Sequence, residues 1–161
     1  MHWILRPETT REHFFPGVQK CLKAGGSFIF EMGGMGCVAE MRATFLSVVG
    51  RRVGIEKARE ADPWFFPDEH WMESTLKRQG GWEIVKIERV YRSTKADKGG
   101  VEGWVRLMGK QFFDVLEEGK VREEAIQEAV EVLQTVCRSS GGGESGEWLG
   151  YVRLRALLRK I

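Results

Sequence analysis

The sequence predicts an α/β fold built on an open sheet, and three observations predict it. Residues 23–39, KAGGSFIFEMGGMGCVA, hold a short apolar strand that stops at a glycine-rich turn and runs into a helix. That is the part of an open α/β sheet where ligands usually sit. Residues 82–92 and 151–156 alternate with the period of a strand. Two stripes at helical spacing complete the pattern. One is Val101, Trp104, Val105, Met108, Phe112, Val115 and Leu116; the other is Val121, Ala125, Ala129, Val132, Leu133 and Val136.

Taken in order, the chain starts abruptly. Met1-His2-Trp3-Ile4-Leu5 is apolar and aromatic with no polar lead, which predicts that a further segment continues it upstream. Pro7-Glu8-Thr9-Thr10 starts a helix that carries Phe14, Phe15, Val18, Cys21 and Leu22 inward, with Pro16 expected to split or kink it. Ala24-Gly25-Gly26 ends that helix, and Ser27 to Met32 is the buried strand. Val38, Met41, Phe45, Val48 and Val49 then give a helix of about 14 residues. Residues 50–61 are charged and poorly periodic, read as a short helix or loop over the site. Asp62-Pro63-Trp64-Phe65-Phe66-Pro67 is a rigid aromatic loop leading into a helix over 68–79, with Trp71, Thr75 and Leu76 inward and Gly80-Gly81 as its C-cap.

The strand over 82–92 is expected to carry Val85, Ile87 and Tyr91 on one face, with Ile84 and Val90 on the other. Residues 95–100 form a polar loop, and the two helical stripes are expected to form an antiparallel pair against the sheet or over its mouth. Residues 139–146 are a glycine-rich link before the last strand. The first strand–helix–strand unit predicts parallel pairing with a right-handed crossover. One domain is expected over 1–161, with neither an internal repeat nor a second domain.

Composition narrows the classes. With 25 basic and 23 acidic residues interleaved, the net charge of +2 gives no electrostatic case for nucleic acid or a membrane surface. No apolar run approaches the roughly 20 residues of a membrane span. Three widely spaced cysteines and no apolar leader point to a reduced, cytoplasmic protein. Six tryptophans and nine phenylalanines suggest a substantial core together with an aromatic-lined pocket.

Few motifs carry chemistry. Gly34-x-Gly36-x-x-Ala39 after a strand matches the dinucleotide-binding fingerprint, whose glycines permit close backbone approach to a phosphate. The fingerprint also needs a second strand ending in an acid about 20 residues on. Glu56 and Glu60 lie in a charged stretch instead, so a turn that lets strand and helix pack closely is favoured over a nicotinamide or flavin site. His2, His13 and His70 have no partner at metal-ligand spacing, and none of the cysteines has an adjacent base. Trp64 and its neighbours either line an apolar substrate cavity or plug a loop. Glu31, at the carboxyl end of the strand, either faces the ligand crevice or meets a basic partner.

These pieces together resemble one family. His2-Trp3, residues 22–41, Pro63-Trp64-Phe65-Phe66-Pro67, Trp82-Glu83-Ile84-Val85 and Gly150-Tyr151-Val152-Arg153-Leu154-Arg155 are similar to the C-terminal part of class I S-adenosylmethionine-dependent methyltransferases, the trans-aconitate-methyltransferase-like proteins above all. The resemblance runs along essentially the whole chain. It implies a partial Rossmann-like sheet of the family's fifth and sixth strands with an antiparallel seventh inserted between them, and a helical cap at about 100–138. It implies that His2 and Trp3 lie near the cofactor, and that Glu31, Gly33, Gly34 and Trp64 face a small organic acceptor. It offers no catalytic residue and no metal.

The family's cofactor-binding glycine loop, its acidic residue ending the second strand and its adenine contacts all lie upstream of this region. The resemblance therefore implies a methyltransferase-like protein truncated before its S-adenosylmethionine cradle and inactive alone. Its exposed edge strand would then meet a second copy or a complementary N-terminal half. Readings from other classes are a non-catalytic binding or oligomerisation module, a cofactor-free small-molecule binder or cyclase, and a dinucleotide-binding protein.

Overall fold

The computed structural model describes residues 1, 3–139 and 146–161. In chain order the elements are α1 (Glu8–Cys21), β1 (Ser27–Gly33), α2 (Ala39–Val53), α3 (Ile55–Ala61), α4 (Glu69–Gln79), β2 (Trp82–Lys95), α5 (Gly100–Met108), α6 (Lys110–Phe113), α7 (Lys120–Cys137) and β3 (Trp148–Lys160). They fall into two compact units, one of residues 1–37, 64–92 and 151–161, the other of residues 38–63 and 93–150.

The first unit holds the sheet, in the order β1-β3-β2. β1 and β3 are antiparallel, in register from Ser27↔Arg159 to Gly33↔Arg153. β3 is also antiparallel to β2, since Ile161 N–H donates to Gly81 O at the start of β2 and Arg159 pairs with Glu83. The last strand is thus inserted between the other two, as the resemblance implies. It also corrects the simple crossover reading: β1 and β2 run parallel but do not pair, because β3 separates them.

Alternation along each strand gives the sheet one apolar face. Phe30, Met32, Leu154, Ala156, Leu158 and Trp82 pack there against Leu5, Phe15 of α1 and Met72 and Leu76 of α4. Each of the Leu, Met and Phe side chains among them contributes about 1.5–3 kcal/mol when fully buried. The parity of β2 changes along its length. Trp82, Ile84 and Ile87 all pack with the core, while Val85 and Tyr91 are exposed. Ile87 therefore does not share a face with Val85 and Tyr91, a shift that an extra residue in the strand, a bulge, would produce.

α1 runs without interruption through Pro16, against the expectation of a split. A proline here leaves the carbonyl four residues earlier without its helical donor. The Gln79 side chain at the end of α4 supplies that donor, with Nε2 3.2 Å from Glu12 O and 3.3 Å from Arg11 O. At the other end of α1, Lys160 Nζ donates to Gln19 O and Leu22 O, both at 2.8 Å, where a cation suits the helix dipole. α4 starts on Asp68, whose carboxylate accepts the Trp71 N–H at 2.8 Å, and it ends at Gly80 and Gly81, both with positive φ.

The second unit is helical. Residues 50–61, read as short helix or loop, complete α2 and form α3. The long stripe over 101–116 is broken at Gly109 into α5 and α6. A side chain there would lie 2.6 Å from Val105 O and 2.9 Å from the ring of Phe45, which packs on Phe112 and Phe113. α7 presents Ala125, Ile126, Ala129, Val130, Leu133 and Cys137 to the core, leaving Val121, Val132 and Val136 exposed. The stripe is therefore rotated from its expected face. Its alanines are small enough to let α2 and α5 approach, which the three valines would hinder.

Candidate functional site

The carboxyl end of β1 and the outer face of the sheet gather the residues singled out in the sequence, and all of the contacts below lie within the first unit. Glu31 sits on the outer face beside Ile29 and opposite Arg155 in the ladder. Arg155 Nε lies 2.7 Å from the Glu31 carboxylate, and Arg153 Nε lies 3.6 Å from it. The Arg153 guanidinium also lies over the Tyr151 ring, 4.7 Å from its centroid. Of the two placements open to Glu31, it takes the one beside basic partners. An open depression of about 420 Å³ lies on this face, bordered by Ile29, Glu31, Lys86, Glu88, Arg155 and Leu157.

The glycines that follow are occupied by the protein's own side chains. A Cβ on Gly33 would lie 2.6 Å from Phe66 Cδ1, so the Phe66 ring rests directly on the strand. Trp64, buried, stacks on Phe66 with ring centroids 5.8 Å apart and planes 15° from parallel. Met35 N–H donates to Pro67 O at 2.9 Å, which ties the aromatic loop to the turn. On the opposite side, a Cβ on Gly34 would lie 3.0 Å from Leu154 Cβ and 3.3 Å from the stem of Arg89. Arg89 pairs with Glu69 and donates to Met35 O at 3.3 Å. The structure thus brings Glu31, Gly33 and, through Phe66, Trp64 to one end of one face, whereas Gly34 turns to the other.

Arg153, Arg155 and Arg89 were not singled out as site residues from the sequence, and Phe66 entered only as part of the aromatic loop. The two β3 arginines had a signal, namely basic residues alternating on a strand that an acid on β1 could oppose. Arg89 had none, being one of six charged residues on β2. Trp3 lies in the turn before α1 and is 44% exposed, and His2 lies outside the described residues.

Phe66 on Gly33, and Leu154 and Arg89 on Gly34, use the close approach that glycine permits, whereas a Cβ on Gly36 would meet Val152 Cγ2 at 3.6 Å, an ordinary contact. Against the dinucleotide reading, Glu56 and Glu60 lie on helix α3 instead of at the end of a strand. Among the described residues, no cluster of three or more His, Cys, Asp or Glu side chains is arranged to hold a metal ion. No described helix is long and apolar enough to cross a membrane.

No family model matches the chain. Over 164 aligned positions it is 30% identical to an uncharacterized methyltransferase of Schizosaccharomyces pombe, matching 99% of this chain. This chain is methyltransferase-like. It spans 59% of the length of that relative. A crystal structure of a provisionally assigned methyltransferase from Bacillus halodurans C-125 aligns with a TM-score of 0.46 at 12% identity, over 99% of this chain and 60% of that one.

Proposed function

We propose that this methyltransferase-like chain is the acceptor-side portion of a class I S-adenosylmethionine-dependent methyltransferase acting on a small organic molecule, and that alone it does not transfer methyl groups. The observation that supports this reading is the 30% identity held along 99% of the chain. In this reading the outer face beside Glu31, Gly33 and Trp64 borders the acceptor, with Gly34 in the adjoining turn. His2 and Trp3 lie toward the cofactor, and α5 to α7 form the helical cap at about 100–138.

Bound S-adenosylmethionine would supply the methyl group and the leaving thioether. This chain would contribute position and surroundings, which govern such a transfer. The arginines that hold Glu31 keep the strand end polar, and the Trp64–Phe66 stack keeps one side apolar. The place of action is cytoplasmic. Its partner is a second copy or a complementary N-terminal half, meeting the free edge of β1.

The reading is tested by incubating the purified chain with tritiated S-adenosylmethionine and a panel of small organic acids, amines and phenols. No label should move above the protein-free blank. Turnover by the chain alone would contradict its incompleteness, and retention of NAD(H) or a flavin in a parallel titration would contradict the family reading itself.

A further inference from the structure

α1 and α4 cover the apolar face of the sheet, and a groove of about 430 Å³ runs between them, on the far side of the sheet from Glu31. The bottom of this groove is polar, where a seam between two helices is ordinarily apolar. Thr75, 2% exposed, lies there and is the one buried polar side chain among the described residues. No described residue hydrogen-bonds its hydroxyl, although a buried polar group without a partner is costly. One turn further along α4, Gln79 spends Nε2 on the Arg11 and Glu12 carbonyls, at 3.3 and 3.2 Å. That fixes its Oε1, which is buried and receives no donor among the described residues.

The walls are held in place. Trp71 offers a half-buried ring, set edge-on to Phe65 with centroids 4.9 Å apart and planes at 76°. Arg11 faces it with Nε 2.7 Å from Leu5 O and its guanidinium 3.8 Å from the centre of the Phe65 ring. The rim carries both signs of charge, Glu12 from α1 and Arg78 from α4. Neither side-chain charge is paired among the described residues.

We propose that this groove binds a free α-amino acid with an aromatic side chain. Gln79 Oε1 and the Glu12 carboxylate only accept hydrogen bonds, and an ammonium donates three. The Thr75 hydroxyl can donate to a carboxylate, and the Arg78 guanidinium matches one with two parallel N–H groups. The ligand's ring then rests on Trp71. An anion alone would leave Gln79 Oε1 without a donor, and a cation alone would leave Arg78 without a partner. A zwitterion serves both. The volume lies toward the lower end of the range for small-molecule pockets. The rim charges are exposed and therefore screened, so the affinity is on the order of 1 mM. The site is separate from the Glu31 face and does not rest on the methyl-transfer reading.

Nuclear magnetic resonance of the 15N-labelled chain tests it, with L-phenylalanine added to about 10 mM, tenfold above such a Kd. The Trp71 indole signal, assigned by its loss in Trp71→Phe, should shift and saturate. N-acetyl-L-phenylalanine, which lacks the ammonium, and L-phenylalaninamide, which lacks the carboxylate, should not saturate over the same range. Thr75→Val keeps the shape and removes the hydroxyl. It should weaken binding about tenfold, as expected for a lost hydrogen bond to a charged group, without lowering the melting temperature. An indole signal that stays still, saturation by either blocked derivative, or unchanged affinity in Thr75→Val would each overturn the proposal. So would a lowered melting temperature in Thr75→Val, which would give the hydroxyl a structural role instead.

Discussion

At the scale of single residues, the contact between Gly33 and Phe66 decides the shape of the strand end. Gly33→Ala would force the ring away from β1, since the new methyl would lie 2.6 Å from Cδ1. Overpacking of this kind costs about 1–3 kcal/mol. Urea titration should show that loss, and adding Phe66→Leu should recover part of it, with the coupling read from the double-mutant cycle. Equal losses in the single and double variants would mean that the glycine is needed for some other reason.

The cysteines give a second residue-scale test. Burial, helped by the carboxylates of Glu40 and Glu147, pushes the Cys137 thiol up to about 11, while Cys21 is exposed. The thiolate is the reactive form, so iodoacetamide at pH 8 should label Cys21 and leave Cys137 unmodified until the protein unfolds. The sign for stability follows from the same shift. A thiol whose pKa is raised on folding contributes fully below its unfolded value near 9.0, and that contribution fades as pH climbs toward about 11. Peptide mapping after labelling reads the first effect, and thermal melts between pH 8 and 11 read the second.

At the scale of elements, α1 depends on a partner distant in sequence. The Glu12 carbonyl, left without its helical donor by Pro16, is served by Gln79. Gln79→Ala should cost about 0.5–1.5 kcal/mol, the net worth of a typical hydrogen bond. In a Pro16→Ala background, where the helix supplies its own donor, the cost should shrink. An unchanged cost in that background would contradict the assignment.

The same scale shows why some elements were legible in the sequence and others were not. β1 was plain because glycines bound it on both sides, and β3 because Val152, Leu154 and Ala156 alternate with arginines. The family resemblance placed β3 between β1 and β2; periodicity alone suggested direct pairing. The break at Gly109 was hidden, since the apolar spacing runs on across it and the need for a glycine shows only in the approach of Val105 O and the Phe45 ring. The rotation of α7 was hidden too, because its alanines and valines are equally apolar and only packing against α2 and α5 selects between them. For the candidate site, Glu31 and Trp64 could be named, but the arginines that meet Glu31 and the strand on which the Trp64–Phe66 stack rests come from segments far away in the chain.

At the scale of the whole molecule, the account is of a methyltransferase-like chain whose own side chains pack on Gly33 and Gly34 at the end of β1. The sheet offers a polar strand end and an apolar aromatic loop, which border the acceptor in the proposed reading. The most direct test is calorimetric titration of the purified chain, at about 100 μM, with S-adenosylmethionine, conditions that detect Kd values of tens of micromolar. The account predicts heats no different from dilution, with no saturation. A saturable one-site isotherm from this chain alone would contradict it, showing that these residues build a complete cofactor site.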